Sequence, residues 1–471
     1  MYLGIDLGTS SVKLVLTDND GLVLGVVSRN YSVNYVCQTS EQNPLDWFEG
    51  FNDCIKELSR TNDLKKVRAL SFSGQMHGLV LVDKNGDIIR PAILWNDNRS
   101  VKENHYLNEV ITKEKLIEYT ENISFPGFTA SKLLWVKNNE PDNFKKIYKV
   151  LLPKDYLAYK ITGVYATDTT DASGTLYYDV KNKQWSKKML DILGIKEEIL
   201  PKVYEPETVI GYPLDDKYLS KNTKVSIGGA DNAIGAVGTN TVLEDEVNLS
   251  LGTSGVVLSV SNNLPKDKVP GIHRFTHVGG RYYQMGVVLS ATASLKWFQE
   301  TILEDNYKKM DLIIDGPKNN IIFHPYLMGE RGTINDVDAK GLFYGFDLST
   351  KRDDLTKAVI EGISFSIKDC LLAMKLDKVK RFRIIGGGTK SESWIRLLAT
   401  ILNAPIETIK LNEGGAFGAA IVAMIADGKY KNYEDTSNLV TTDKIYYPII
   451  EDVKYYIDKY NEYKLLYHKI K

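Results

Sequence analysis

At 471 residues the chain is too long for one ordinary core and divides most simply into two domains. Its 59 basic residues against 60 acidic ones leave no net field to recruit nucleic acid or a membrane surface, so an anionic ligand must be held by local donors. Cys37, Cys54 and Cys370 are far apart and odd in number, with no CxxC pair. This argues against a disulfide framework or zinc site and for a reducing, cytoplasmic compartment; no signal segment and no apolar run of membrane length is expected.

The chain opens on three β-rich runs, YLGIDLG, VKLVLTD and LVLGVVS, with DNDG at 18–21 the clearest turn between them. PLDWFEGFNDCIKELSR places Leu45, Phe48, Phe51, Ile55 and Leu58 at helical spacing, and VRALSFSG reads as a buried strand. That order, βββαβ, starts a mixed α/β domain. Helical stretches such as TASKLLWVKNN alternate with loops over residues 100–200, TKVSIGG returns to strand, and DNAIGAVG reads as a Gly/Ala-rich helix. EVNLSLGTS and GVVLSVS then restart the opening pattern. FRIIGGG, SESWIRLLATILN, IETIK and GAFGAAIVAMIA follow as strand, helix, strand and helix. The tail VKYYIDKYNEYKLLYHK places Val453, Tyr456, Ile457, Tyr460 and Tyr463 on one helical face, predicting an amphipathic cap.

IDLGTSSVKLVL (5–16) and LSLGTSGVVLSV (249–260) agree without gaps at six of twelve positions. An offset of nearly half the chain argues for a duplicated domain, divided here as 1–242 and 243–471. Each LGTS turn places consecutive backbone N–H groups and two hydroxyls at a hairpin tip, a concavity suited to anions. One such turn is ordinarily only a hairpin. Two with matching flanks point to a shared polyphosphate held from both sides. GxxxxGK[ST], GxGxxG and HExxH are absent, against a P-loop enzyme, a Rossmann dehydrogenase and a metalloprotease.

Two hairpins of the form DLGTS and LGTSG, with a GGG turn before a helix, resemble the actin, Hsp70 and sugar kinase ATPases. The fold this implies is α/β, with two actin-like (ribonuclease H-like) domains around a central cleft. GFTASKLLWVKNN (127–139), with Thr129, Lys132, Leu133, Trp135 and Asn138, resembles the first signature of the FGGY carbohydrate kinases. GLFYGFDLSTKRDDLTKAVIE (341–361) resembles the second, except at Phe346, where an aliphatic residue is usual; this is read as a packing variation. Within that family, GQMHGLVLVD (74–83), RPAILWNDNRS (90–100), LLPKDYL (151–157), GGADNAIGAVG (228–238) and HPYLMGER (324–331) are similar to members acting on D-xylulose. After GER the family's Thr-Pro and Asp-Pro give way to GTINDV, which keeps Asp336 but no proline and predicts a more mobile loop.

The resemblance implies transfer of phosphate from ATP, with Mg²⁺, to the C5 hydroxyl of D-xylulose in pentose catabolism. Another ketose or polyol such as ribulose stays open, as does a homodimer, and, further off, a non-metabolic actin-fold ATPase. On this resemblance Asp231 is the catalytic base, although an Asp before Asn-Ala-Ile-Gly also suits a helix N-cap. With a carboxylate pKa of about 4, it would take the proton only late, as the phosphoryl group bonds. Asp6, also catalytic, is the metal carboxylate. Met76, His77, Trp95, Asn96, Asp97 and Asn232 join Asp231 around the sugar. Thr9, Ser10 and Lys13 in the first hairpin and Thr253 and Ser254 in the second hold phosphate, and Gly386, Gly387 and Gly388 lie against adenosine. The remaining histidines, His105, His273, His277, His324 and His468, show no metal-site spacing.

Overall fold

A computed structural model describes residues 1–303, 310–330, 334, 336, 338–376, 378–410 and 413–470. Two seven-stranded mixed sheets organise it. In the first, Tyr2–Leu7 pairs antiparallel with Ser11–Thr17 and parallel with Ala69–Gly74, and Val23–Asn30 forms the far edge beyond Ser11–Thr17. In the second, Glu246–Leu251 pairs antiparallel with Gly255–Ser261 and parallel with Arg381–Ile385, and Tyr282–Val288 lies beyond Gly255–Ser261. The two LGTS turns therefore join equivalent strand pairs in two copies of one topology.

The two-residue period of a strand decides what each face of the first sheet meets. Leu3, Ile5 and Leu7 point into a core with Trp47, Phe51, Cys54, Ile55 and Leu58, supplied by the helix Pro44–Leu58. The alternate residues, Tyr2, Gly4 and Asp6, face the helix Gly414–Ala426, which comes from the far end of the chain. That helix makes contact through small residues. A Cβ at Gly4 would collide with the Ala416 carbonyl, and one at Gly418 with the carbonyl of Ile234 in the helix Asp231–Gly238. Gly238 in turn lies against the Gly414 carbonyl. With so little side chain between them, the end of one helix, Gly238, packs on the start of the other, Gly414, and that start reaches the end of the strand that carries Asp6.

All three cysteines are free, Cys37 exposed and the others buried. Among the described residues no helix is long and apolar enough to cross a membrane. Two sequence expectations need correction. Phe346 is 61% exposed, so it fills no core space and is no packing variation. In the tail helix Ile450–Ile470, Tyr456, Tyr460, Tyr463 and Leu466 are buried while Ile457 is 42% exposed. The docked stripe runs at i, i+4, i+7 and i+10, and Ile457 sits about 100° off it. Of the GTINDV segment, residues 332, 333, 335 and 337 lie outside the described residues; Asp336 pairs its backbone with Glu330 and accepts from the Tyr467 hydroxyl.

Candidate active site

Asp6 ends its strand on the helix-facing side, and its Oδ1 accepts from Ser73 Oγ at 2.7 Å. Gly415 in the first turn of the helix Gly414–Ala426 lies so close that a Cβ there would fall 2.8 Å from Asp6 Oδ1. Burial raises the Asp6 pKa, opposed by the Ser73 hydrogen bond and the Lys13 charge. Lys13, directly across the hairpin from Asp6, forms an ion pair with Glu413 at 3.3 Å.

Asp231 is the first residue of its helix; Ala230 occupies the N-cap position and makes no side-chain cap. Its Oδ1 accepts from the Asn232 backbone N–H at 2.7 Å and from Asn232 Nδ2 at 3.0 Å, so the carboxylate is turned aside from a capping role. Burial, and secondarily the negative charge of Asp6, push its pKa from 3.8 to about 7, against the pull of the Asn232 N–H. The ordinary carboxylate value expected from sequence is thus corrected upward. Asp6 is near enough to Asp231 for its charge to act on that carboxyl.

Asn232 Nδ2 also reaches Met76 Sδ at 3.6 Å, tying Asp231 to the loop that follows Ala69–Gly74. His77 adopts a left-handed backbone (φ 68°) in that loop. Its Nδ1 is 2.7 Å from the Gly174 carbonyl, an oxygen that can only accept, so this nitrogen carries the proton. The ring stacks on Phe128 at 4.5 Å between centroids, with Phe275 beyond. Gly174 has no room for a side chain, since a Cβ would fall 2.7 Å from Met76 Cε and 2.8 Å from His77 Cε1. The loop is held from behind by buried Lys132, which donates to the carbonyls of His77 (2.6 Å), Leu94 (3.0 Å) and Ile93 (3.4 Å). Burial pushes the Lys132 pKa down to about 7.

Trp95 is half exposed and donates from Nε1 to Thr9 Oγ1 at 2.9 Å, joining the loop around residue 95 to the first LGTS turn. Thr9, Ser10 and Lys13 stand together on that hairpin, with Ser10 exposed. Asn96 is turned toward the Tyr35 hydroxyl (3.4 Å), and none of its hydrogen bonds reaches Met76, His77 or Asp231. Asp97 is corrected outright: fully buried, it accepts from Ser40 N at 2.6 Å and chelates Arg99 at 2.8–2.9 Å, leaving nothing for a sugar.

At the second hairpin the carbonyls of Gly252 and Thr253 accept from the backbone of Ala291, Thr292 and Ala293, which fixes the tip. The triple glycine lies directly on it. Gly386 is left-handed (φ 102°), and a Cβ there would meet the Leu251 carbonyl at 2.6 Å; Gly388 packs against the Leu251 side chain. Gly387 is exposed with open space before it. Ser391 then caps the helix Glu392–Leu402. Gly386 and buried Gly388 are thus packed on Leu251, the residue that leads into the second LGTS turn, and Gly387 is left open beside it.

Sequence reasoning overlooked Ser73, Gly415, Glu413 and Gly174. It also overlooked a buried group, Lys154 with Asp155, Asp168 and Asp171, which are the described acidic residues close enough together to bind a metal in principle. Their spacing carries no motif, and only the fold brings them together.

Residues 1–238 match the N-terminal domain, and residues 247–426 the C-terminal domain, of the FGGY family of carbohydrate kinases. The chain belongs to that family. Among FGGY relatives, a protein of Staphylococcus xylosus named xylulose kinase is 37% identical, with 99% of each chain covered. A crystal structure titled a xyloylose kinase from Brucella ovis superposes with a TM-score of 0.95 at 34% identity, covering 100% of this chain and 99% of that one. One of a gluconate kinase from Lactobacillus acidophilus gives 0.94 at 28% identity, covering 99% and 97%. As an FGGY kinase the chain transfers phosphate to an alcohol group of a carbohydrate, and the family implies ATP as donor.

Proposed function

We propose that the chain phosphorylates D-xylulose at its C5 hydroxyl, with Asp231 as the base. The carrying observation is Asn232, which holds both the Asp231 carboxylate and Met76 Sδ and so sets the base beside the Met76–His77 loop. Phosphoryl transfer asks for positioning and charge neutralisation more than covalent chemistry. A carboxylate whose pKa is raised by burial to about 7 is a better proton acceptor than an ordinary one. Asn232 fixes which oxygen faces the sugar. His77, its ring fixed by the Gly174 carbonyl, lines the sugar site, and Trp95 carries the Thr9 turn along with the sugar loop.

Thr9, Ser10, Lys13, Thr253 and Ser254 serve the phosphates, and the open face of Gly387 serves the adenosine. Lys13 is held by Glu413 until a phosphate competes for it. Asp6 and Asp231, near enough for their charges to interact, supply hard oxygen donors and a local negative charge that Mg²⁺ would neutralise, and Asp6 is assigned to hold it. When bound, the ion neutralises charge on the transferring phosphate. Residues 1–242 and 243–471 act as two domains closing on the sugar to exclude water, and the free thiols suit a reducing cytosol.

Support for D-xylulose comes from the Staphylococcus xylosus relative, matched over the full length of both chains. The structural likeness to a gluconate kinase makes a sugar acid the second reading. An ADP-coupled assay over D-xylulose, D-ribulose, gluconate and glycerol tests both. D-xylulose should give the highest kcat/KM; preference for gluconate, or ATP turnover independent of sugar, would overturn the assignment.

A further inference from the structure

Beneath the base and the Met76–His77 loop lies a charged network with no access to solvent. Lys154, Asp168, Thr170 and Asp171 are 0% exposed and Asp155 1%. Lys154 Nζ is 2.6 Å from Asp155 Oδ1, 2.7 Å from Asp168 Oδ2 and 3.7 Å from Asp171 Oδ2. Its stem fills the space left by Gly74, where a Cβ would fall 2.7 Å from Lys154 Cβ. Buried ion pairs are costly to desolvate and seldom add net stability, so one ammonium among three carboxylates calls for another reason.

The network's outputs suggest one. With Oδ2 on Lys154, Asp168 turns Oδ1 to the N–H groups of Thr170 (2.7 Å) and Asp171 (3.2 Å), and also accepts the Thr170 hydroxyl. That hydroxyl, its proton committed to Asp168, accepts the N–H of Ala230 at 2.9 Å. Ala230 immediately precedes Asp231. Gly229 makes the approach possible, since a Cβ there would lie 2.6 Å from Thr170 Oγ1. The same short segment ends at Gly174, whose carbonyl fixes His77 Nδ1, and Thr276 of the second half donates to the Thr169 carbonyl at 2.6 Å.

We propose that Thr170, oriented by Asp168 and Lys154, is a positioning residue for the catalytic base: it clamps the Ala230 N–H and thereby fixes where the Asp231 carboxylate points, while the segment it anchors sets the ring of His77. Lys154 supplies the fixed charge that orients Asp168, and Asp168 polarises the Thr170 hydroxyl into a pure acceptor. This rests on Asp231 being the base of the kinase proposed above.

Lys154→Met would leave three buried carboxylates without a counter-ion and unfold the region, so the test uses Thr170. Thr170→Val keeps the shape and removes the acceptor; Thr170→Ser keeps it. With D-xylulose and ATP, Thr170→Val should lower kcat on the order of tenfold or more, as expected for a base displaced by a fraction of an ångström. The KM for ATP should be unchanged, and Thr170→Ser should restore most of kcat. Melting temperatures and Asp231→Asn are measured in parallel. Wild-type kcat retained in Thr170→Val, a loss not rescued by serine, or a kcat loss that merely follows a lowered melting temperature would each overturn the proposal. Failure of the parent reading would look different: wild-type protein inactive on the sugars, or Asp231→Asn fully active.

Discussion

Asp231→Asn should make the protein more stable while making it nearly inactive, and the gain should depend on pH. The folded state raises the Asp231 pKa from 3.8 to about 7, so it holds the proton more tightly than the unfolded chain does. The stabilising contribution is therefore complete below about pH 4 and is lost as pH climbs through about 7. Integrating the two titrations, ionising this side chain costs the folded state about 2–3 kcal/mol more at pH 8 than at pH 5. Asparagine does not titrate and keeps an oxygen for the Asn232 N–H, so the stability gap between variant and wild type should widen by that amount. For an unfolding unit the size of the half carrying Asp231, this is about 5 °C or more in Tm. Thermal unfolding in metal-free buffer at both pH values measures it, alongside an expected loss of sugar phosphorylation of order 100-fold or more. A gap that stays constant with pH, or a variant less stable at pH 8, would refute the claim that Asp231 is strained by burial and by Asp6.

His77→Ala should raise the KM for sugar about tenfold and leave the KM for ATP alone; an equal rise in both, in steady-state kinetics, would detach His77 from the sugar. Gly418→Ala pushes a methyl into the Ile234 carbonyl and should cost about 1–3 kcal/mol with reduced kcat, read by melting and turnover. Lys459 and Glu361 form a buried pair, so Lys459→Met should cost about 3–5 kcal/mol with both KM values unchanged; an unaltered Tm would contradict it.

Much of the candidate site was legible in the chain because it lies at turns whose chemistry is local. The two LGTS hairpins, the GGG turn and the Asp at the head of DNAIGAVG are each visible in a few residues. What escaped reading depends on distant contacts. Ser73 reaches Asp6 across a parallel strand pair, Gly415 comes from the far end of the chain, and Lys132 meets three carbonyls that no spacing predicts. Asp97 looked like a site residue because it sits beside Trp95 and Asn96, yet Arg99, two positions on, claims its carboxylate. The misplacement of Ile457 has a simpler origin: a helical wheel shows an apolar arc without showing which part of it docks.

The helix Gly414–Ala426 that covers one face of the first sheet also imposes a schedule on biosynthesis. The strands Tyr2–Leu7, Ser11–Thr17 and Ala69–Gly74 leave the ribosome early, but the helix that seals them is about 340 residues behind the last of these strands. At typical elongation speeds that interval is roughly 20–70 s. Throughout it Tyr2, Val15 and the bare backbone at Gly4 lack their native cover. The nascent chain is thus exposed to aggregation longest at the strand that carries Asp6, and slower translation between residues 75 and 414 would lengthen that exposure.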